Sequence, residues 1–122
     1  MLSETSRVWL LIVGLTLLSG VGDAYGFTHA ALVWQTGRVV WGEVARSAVG
    51  FAVGIGLYWY VLKYMAVVGI VAPEMQTIAW FAVTIVGVAL ISGKFLGWAR
   101  LDQAVAVAVL AGIGWLLVRT GG

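Results

Sequence analysis

The sequence predicts an all-α membrane protein, a four-transmembrane-helix bundle forming a single domain over residues 1–122, and three observations carry that prediction. Hydrophobic residues make up 62% of the chain and charged residues only 10%, against about 25% charged in an ordinary soluble domain. The mean hydropathy is +1.05. The apolar residues also fall into long runs, each near or above the roughly 20 residues that cross a hydrocarbon core of ~30 Å. At 122 residues the chain holds these runs and leaves no length for a soluble domain.

The first predicted helix covers residues 8–34, apolar except for Asp23 and His29. At about 1.5 Å per residue it is longer than one bilayer core, so it must tilt, kink or project. Residues 35–46 hold Gly37, Arg38, Glu43 and Arg46 and read as a polar interfacial connector with an amphipathic portion. The apolar run after it is too long for one crossing. Proline is favoured in the first turn of a helix and disfavoured inside one, so the run divides into a second helix over 46–67 and a third over 73–92, opening at Pro73. Glu74, beside that proline, fits a first turn, where the helix dipole favours a carboxylate. The stretch SGKFLGWARLDQ is a polar loop, and residues 101–118 form the fourth helix, followed by Arg119 and the pair Gly121-Gly122.

Charge and composition narrow the function classes. The chain lacks Cys, and it also lacks Asn, which removes disulfides, thiolate chemistry and N-glycosylation. A single His with no Cys argues against an intrachain metal site, and His29 reads as an interfacial polar residue. The net charge of +2 rests on seven Lys and Arg spaced singly, which are topology signals and not the patch that phosphate binding requires. Arg38, Arg46, Lys94 and Arg100 lie in the first and third loops, against Arg7, Arg119 and Lys63 on the other side. The positive-inside rule puts the termini outside the cytoplasm, by a margin thin enough for insertion in both orientations. Arg7 ahead of an apolar stretch, with the small residues of GVGDA beyond it, also matches a secretory signal; the continued apolar run favours a retained helix.

The candidate site is built on Asp23. Helical spacing places Thr16, Ser19, Gly20, Asp23, Gly26 or Phe27, and Ala30 along one small, polar side of the first helix, with Leu10, Leu11, Leu15, Leu18 and Val21 on the faces suited to lipid. A carboxylate at bilayer depth costs ~2.5–3.5 kcal/mol on insertion scales, and such groups mark proton or ion sites by default. The structural alternative is a carboxyl satisfied by Ser19, Tyr25 or a neighbouring helix. Lys63 stands too far along the bundle axis to pair with Asp23, by about 15 Å.

In the second helix, Gly50 and Gly54 form a GxxxG that admits a close backbone, followed by the aromatic run YWYVLKY with Tyr58 and Tyr60. That run fits an interfacial belt with Lys63 snorkelling, or a cavity lining for a cationic or aromatic ligand. Trp80 of the third helix, with Thr77, Thr84 and Gly87 on its side, is an indole at depth that faces the same cavity as Asp23 in this reading. Ala104, Ala108 and Gly112, with Ala111 and Trp115, make a small-residue ridge on the fourth helix, suited to association within the bundle or between subunits.

From Tyr58 to Leu117, about half the chain, the order of parts resembles the small multidrug resistance family of the drug/metabolite transporter superfamily. The resemblance lies in the aromatic end of the second helix, the pair Gly69-Ile70, Trp80 in the third helix, VGVALIS, FLGWARLD and a glycine-bearing fourth helix. It implies that Asp23, standing where that family carries a glutamate, is shared between protons and cationic substrates. It implies further that Trp80 lines the binding chamber and that Gly112 and Gly114 hold an antiparallel homodimer together.

The expected function is thus a proton-coupled small-molecule transporter, taking a small cationic ligand and working as a homodimer in a prokaryotic cytoplasmic (inner) membrane. The expected site residues are Asp23, Trp80, Tyr58, Tyr60 and Ser19, with Gly50, Gly54, Ala104, Ala108, Gly112 and Gly114 in helix and dimer packing. The lipid bilayer is the other expected partner; no metal, cofactor or nucleic acid enters. The alternative is a non-catalytic membrane subunit or scaffold of a larger complex, binding lipid or pigment. One His, no Cys and no close pair of carboxylates leave no evident enzyme chemistry.

Overall fold

The computed structural model describes residues 3–120. Helices α1 (Glu4–Ala30), α2 (Trp41–Val67), α3 (Pro73–Ser92) and α4 (Arg100–Thr120) follow one another, each long and apolar enough to cross a membrane. They form an all-α four-helix bundle and mark the chain as an integral membrane protein. The pair Gly121-Gly122 of the sequence reading lies outside the described residues.

Several boundaries differ from the sequence expectation. α1 begins at Glu4 and not at Val8, because Ser3 caps it: its hydroxyl accepts the Ser6 amide at 3.2 Å, one of the donors a helix start leaves without an internal partner. The same helix ends at Ala30 and not at Trp34, because the chain turns into a small hairpin of β1 (Trp34–Gln35) and β2 (Arg38–Val39). Gln35 pairs with Arg38, leaving a two-residue loop in which Thr36 (φ 51°) and Gly37 (φ 75°) both have positive φ. That is a type I′ turn, whose twist matches the strands it joins. The Val40 amide donates to the Val33 carbonyl at 2.8 Å beyond the strand pair, and α2 then starts at Trp41 and not at residue 46. So the expected amphipathic connector is a hairpin running into the first turn of a helix.

α2 ends at Val67, and α3 opens with Pro73 in its first turn. At the far end of α3, Gly93 (φ 69°) takes the left-handed cap conformation that a residue with a Cβ disfavours. A 310 turn over Lys94–Gly97 leads on to α4.

α1 is the central element. It packs along α2 on one side and α3 on the other, and α4 packs against α3. The two halves of α1 meet α2 by different means. In the first half, Val8 and Ile12 pack with Val61 and Met65 in an apolar cluster that Leu15, Leu62 and Val68 extend. In the second half, Thr16, Ser19, Gly20, Asp23, Ala24 and Gly26 are the buried residues. Leu10, Leu18 and Val21 are exposed, as their assignment to lipid required, whereas Leu11 and Leu15 are half-buried. Of the pair left open by the sequence, Gly26 is buried and Phe27 is exposed.

Candidate functional site

The site is positioned by a crossing of glycines. Gly22 and Gly26 of α1 lie against Gly50 and Gly54 of α2. A methyl on Gly50 would stand 2.6 Å from the Gly26 amide nitrogen and 2.8 Å from the Gly22 carbonyl oxygen; one on Gly22 would stand 3.0 Å from the Gly54 nitrogen. Backbone thus touches backbone, the close approach that two small-xxx-small motifs permit in a membrane. Two hydroxyls fasten the crossing. Ser19 Oγ donates to the Gly54 carbonyl at 2.6 Å, and Ser47 Oγ donates to the Gly26 carbonyl at 2.8 Å.

Asp23 sits at this crossing and is 1% exposed. About 10 Å of helix separate it from the end of α1 at Ala30. Its carboxyl lies directly over Gly54, where even a methyl group would overlap it. The Trp80 indole N–H donates to Ser19 Oγ at 3.1 Å and also lies beside the Asp23 carboxyl. Tyr58 of α2 closes the arrangement with its ring centroid 5.6 Å from that of Trp80.

The structure therefore brings together Asp23, Ser19, Trp80 and Tyr58, with Gly54 as the floor. Tyr60 stands apart. It is 50% exposed, its hydroxyl lies 3.1 Å from that of Tyr64, and the Lys63 ammonium lies 5.9 Å from its ring. The reason is angular: Tyr58 and Val61 share the buried face of α2, and Tyr60 falls on the opposite side. Lys63 also approaches the Tyr64 ring, at 5.7 Å, which leaves it with the exposed aromatic cluster and not with Asp23.

Gly50 and Gly54 pack as just described, but the fourth-helix ridge does not pack within the chain. Ala104, Ala108 and Gly112 are exposed and Gly114 is half-buried, and a Cβ on either glycine would meet nothing within 4 Å. α4 turns another line toward the bundle, with Gln103, Ala106, Leu110, Ile113 and Leu117 half-buried at helical spacing.

Three features of the site were not assigned from sequence. Thr84 of α3 is 2% exposed, and its hydroxyl has no hydrogen-bond partner among the described residues. Thr16 Oγ1 and Asp23 Oδ2 share that condition. Such groups are normally paired, since an unpaired buried polar atom costs about 1–3 kcal/mol. The third feature is a brace at the hairpin end: Glu43 bridges His29 through one oxygen and Arg46 through the other, the latter at 2.6 Å. His29 thereby acquires a specific partner across the α1–α2 connection, which its position in the sequence alone did not show.

Surface depressions of about 470 Å³ beside Trp98, Asp102, Val105 and Ala106, and of about 370 Å³ beside Glu4, Thr5, Val8, Trp9, Val67 and Val68, mark the described residues. Neither reaches Asp23. Among the described residues no group of three or more His, Asp or Glu is placed to hold a metal ion. Comparisons with protein-family models, with curated proteins and with solved structures return no match to this chain.

Proposed function

We propose that the chain is a proton-coupled transporter of small, cationic molecules, working as a homodimer in a prokaryotic inner membrane, with Asp23 as the group that exchanges a proton for the substrate. The observation that carries this reading is the carboxyl of Asp23, enclosed where three apolar helices meet, with one oxygen lacking a partner. Among the described residues no Lys or Arg forms an ion pair with it: Arg46 is engaged by Glu43, and Lys63 stands over tyrosine rings. A buried acid without a counter-ion is poised to take up a positive charge, either a proton or a cation. Ser19 and Trp80 orient the site through their shared hydrogen bond, and the neighbouring Trp80 and Tyr58 rings, tilted at 54° to each other, offer faces to an organic cation.

Exchange requires movement. Since Asp23 is 1% exposed between α1, α2 and α3, a substrate reaches it when α2 or α3 separates from α1. Such a separation would break the Ser19–Gly54 and Ser47–Gly26 hydrogen bonds that fasten the glycine crossing.

The test is proton release from purified protein in weakly buffered detergent on adding tetraphenylphosphonium, a hydrophobic organic cation. The intact protein is expected to release protons with a saturable dose response, and Asp23→Asn is expected to release none. Equal cation binding by Asp23→Asn removes the transport reading.

One observation favours a second reading, that of a non-catalytic subunit. The outer face of α4 is apolar and exposed along its length, with Val105, Val109 and Trp115 each more than half exposed. In that case Asp23→Asn would weaken assembly with other chains and leave no flux to lose. Obligatory co-purification with those chains distinguishes it from a homodimer.

A further inference from the structure

We propose that Thr84 is the hydrogen-bonding partner of Asp23 in proton exchange, its hydroxyl accepting from the protonated carboxyl and donating to the ionised one. The proposal rests on the reading of Asp23 as a proton-exchanging group and adds to it the residue that serves both of its states.

At about 100° per residue, Gly22 and Gly26 point from α1 toward α2, where they meet Gly50 and Gly54. Gly20 and Ala24 point toward α3, where they meet Val83 and Gly87. The direction midway between these two contacts belongs to Asp23 and Thr16. Both side chains are therefore aimed into the crevice shared by α1, α2 and α3. On α3, Val83 and Gly87 face α1 squarely. Trp80 and Thr84 lie next to them around the helix, on the side where Trp80 meets the Tyr58 ring of α2. Thr84 is thus aimed into the same crevice from the opposite wall.

Height agrees with direction. Gly20 meets Val83 and Ala24 meets Gly87, so α1 and α3 run parallel in fixed register. In that register Thr84 is level with Val21, about 3 Å along the axis from Asp23. Trp80 lies one turn below Thr84, as Ser19 lies one turn below Asp23, and those two are joined by a hydrogen bond at 3.1 Å. Asp23 and Thr84 therefore stand one turn above the bonded pair Ser19–Trp80; their side chains are not hydrogen-bonded to each other in this structure, and the proposed contact forms when the threonine hydroxyl turns toward the carboxyl. Thr16, two turns below Asp23, is too far along the axis to share that level.

Chemistry explains why a hydroxyl stands there. A carboxyl changes from donor and acceptor to acceptor only when it loses its proton, and a threonine hydroxyl can donate or accept, so it matches either state by rotating. Around Asp23 stand Ser19 one turn away on its own helix, Gly54 from α2 and Trp80 from α3, with Tyr58 against the Trp80 ring and Thr84 one turn above Trp80. Tyr58 is the only titratable one among them. Ser19 already donates to the Gly54 carbonyl and accepts from Trp80, while Thr84 Oγ1 and Asp23 Oδ2 are both buried and without partners.

The experiment is infrared difference spectroscopy of the full chain in liposomes across a pH titration, reading the C=O stretch of the protonated carboxyl. The band lost in Asp23→Asn identifies Asp23. Thr84→Val, which replaces the hydroxyl by a methyl of similar size, is expected to move that band to the higher frequency of a carboxyl without a hydrogen bond and to shift its titration midpoint. Thr84→Ser is expected to keep both as in the unaltered protein, and Thr84→Ala serves the same comparison as Val should the latter fail to insert. A band unmoved in both Val and Ala variants overturns the role of Thr84 while leaving Asp23 as the exchanging group. No band lost in Asp23→Asn at any pH overturns both.

Discussion

Ser19 donates its hydroxyl hydrogen to the carbonyl oxygen of Gly54 at 2.6 Å, joining α1 to α2 by a buried bond at the level where both helices present glycine. The same hydroxyl accepts from Trp80 at 3.1 Å, so one small side chain ties three helices together. Its neighbour on the next turn of α1 is Asp23, pressed against the same glycine. The candidate site is therefore also the structural centre of the bundle, and substitutions there should affect packing and function together.

Gly54→Ala should show this most directly. The added methyl overlaps the Asp23 carboxyl, and overpacking of this kind costs about 1–3 kcal/mol. Gly56→Ala, two residues on, meets nothing within 4 Å and gains helix propensity. Unfolding from mixed micelles with increasing SDS should place Gly54→Ala well below the unaltered protein and Gly56→Ala at or above it. Equal midpoints would mean that the close approach of Asp23 to α2 does not exist.

Ser19 and Trp80 should be energetically coupled. Ser19→Ala removes the acceptor of the indole and the donor to Gly54, and each interhelical bond of this type contributes on the order of 0.6 to 2 kcal/mol in a membrane. A double-mutant cycle of Ser19→Ala with Trp80→Phe is expected to yield a non-zero coupling energy. Strict additivity would exclude their hydrogen bond.

The hairpin offers a test independent of the site. Thr36 occupies the first central position of a type I′ turn, where Asn is preferred over a β-branched residue. Thr36→Asn is expected to raise the thermal midpoint slightly, and Gly37→Val to lower it by the equivalent of roughly 1–2 kcal/mol, the cost of forcing a Cβ into left-handed backbone. Neither should alter proton release, since the turn lies beyond the His29–Glu43–Arg46 brace and away from Asp23. A loss of proton release in Thr36→Asn would contradict that separation.

Gly112→Leu separates association between chains from folding within one. A Cβ at Gly112 meets nothing within 4 Å, so a larger side chain is expected to leave the unfolding midpoint of the single chain unchanged. If the exposed ridge of Ala104, Ala108 and Gly112 joins two copies, energy transfer between labelled chains in liposomes should fall sharply in this variant. Undiminished transfer would remove α4 from the dimer interface.

Much of the architecture was legible in the chain because lipid makes it so. A backbone in hydrocarbon must satisfy its own hydrogen bonds, so long apolar runs become helices, and Pro73 divides the longest run where a helix can begin but not continue. The buried stripe of α1 was legible for the same reason, since Thr16, Ser19 and Asp23 at helical spacing cannot all face lipid. The hairpin was less legible. Its turn depends on the backbone of Thr36 and Gly37, and Thr-Gly is a weaker hairpin signal than Asn-Gly.

The sequence by itself determined that the chain forms four membrane-length helices, though not all their ends, that Asp23 points inward, and that Gly50 and Gly54 allow a close neighbour. Only the tertiary structure decided that this neighbour is Gly22 and Gly26, that Tyr58 joins Trp80 at the site while Tyr60 does not, and that the Thr84 hydroxyl is buried without a partner among the described residues. The physical reason is that a helix fixes the angle of each side chain about its own axis, whereas the rotation, tilt and register of one helix against another are set by side-chain contacts far apart in the chain. Here those contacts are the overlap of small residues at two crossings, which no single helix encodes alone.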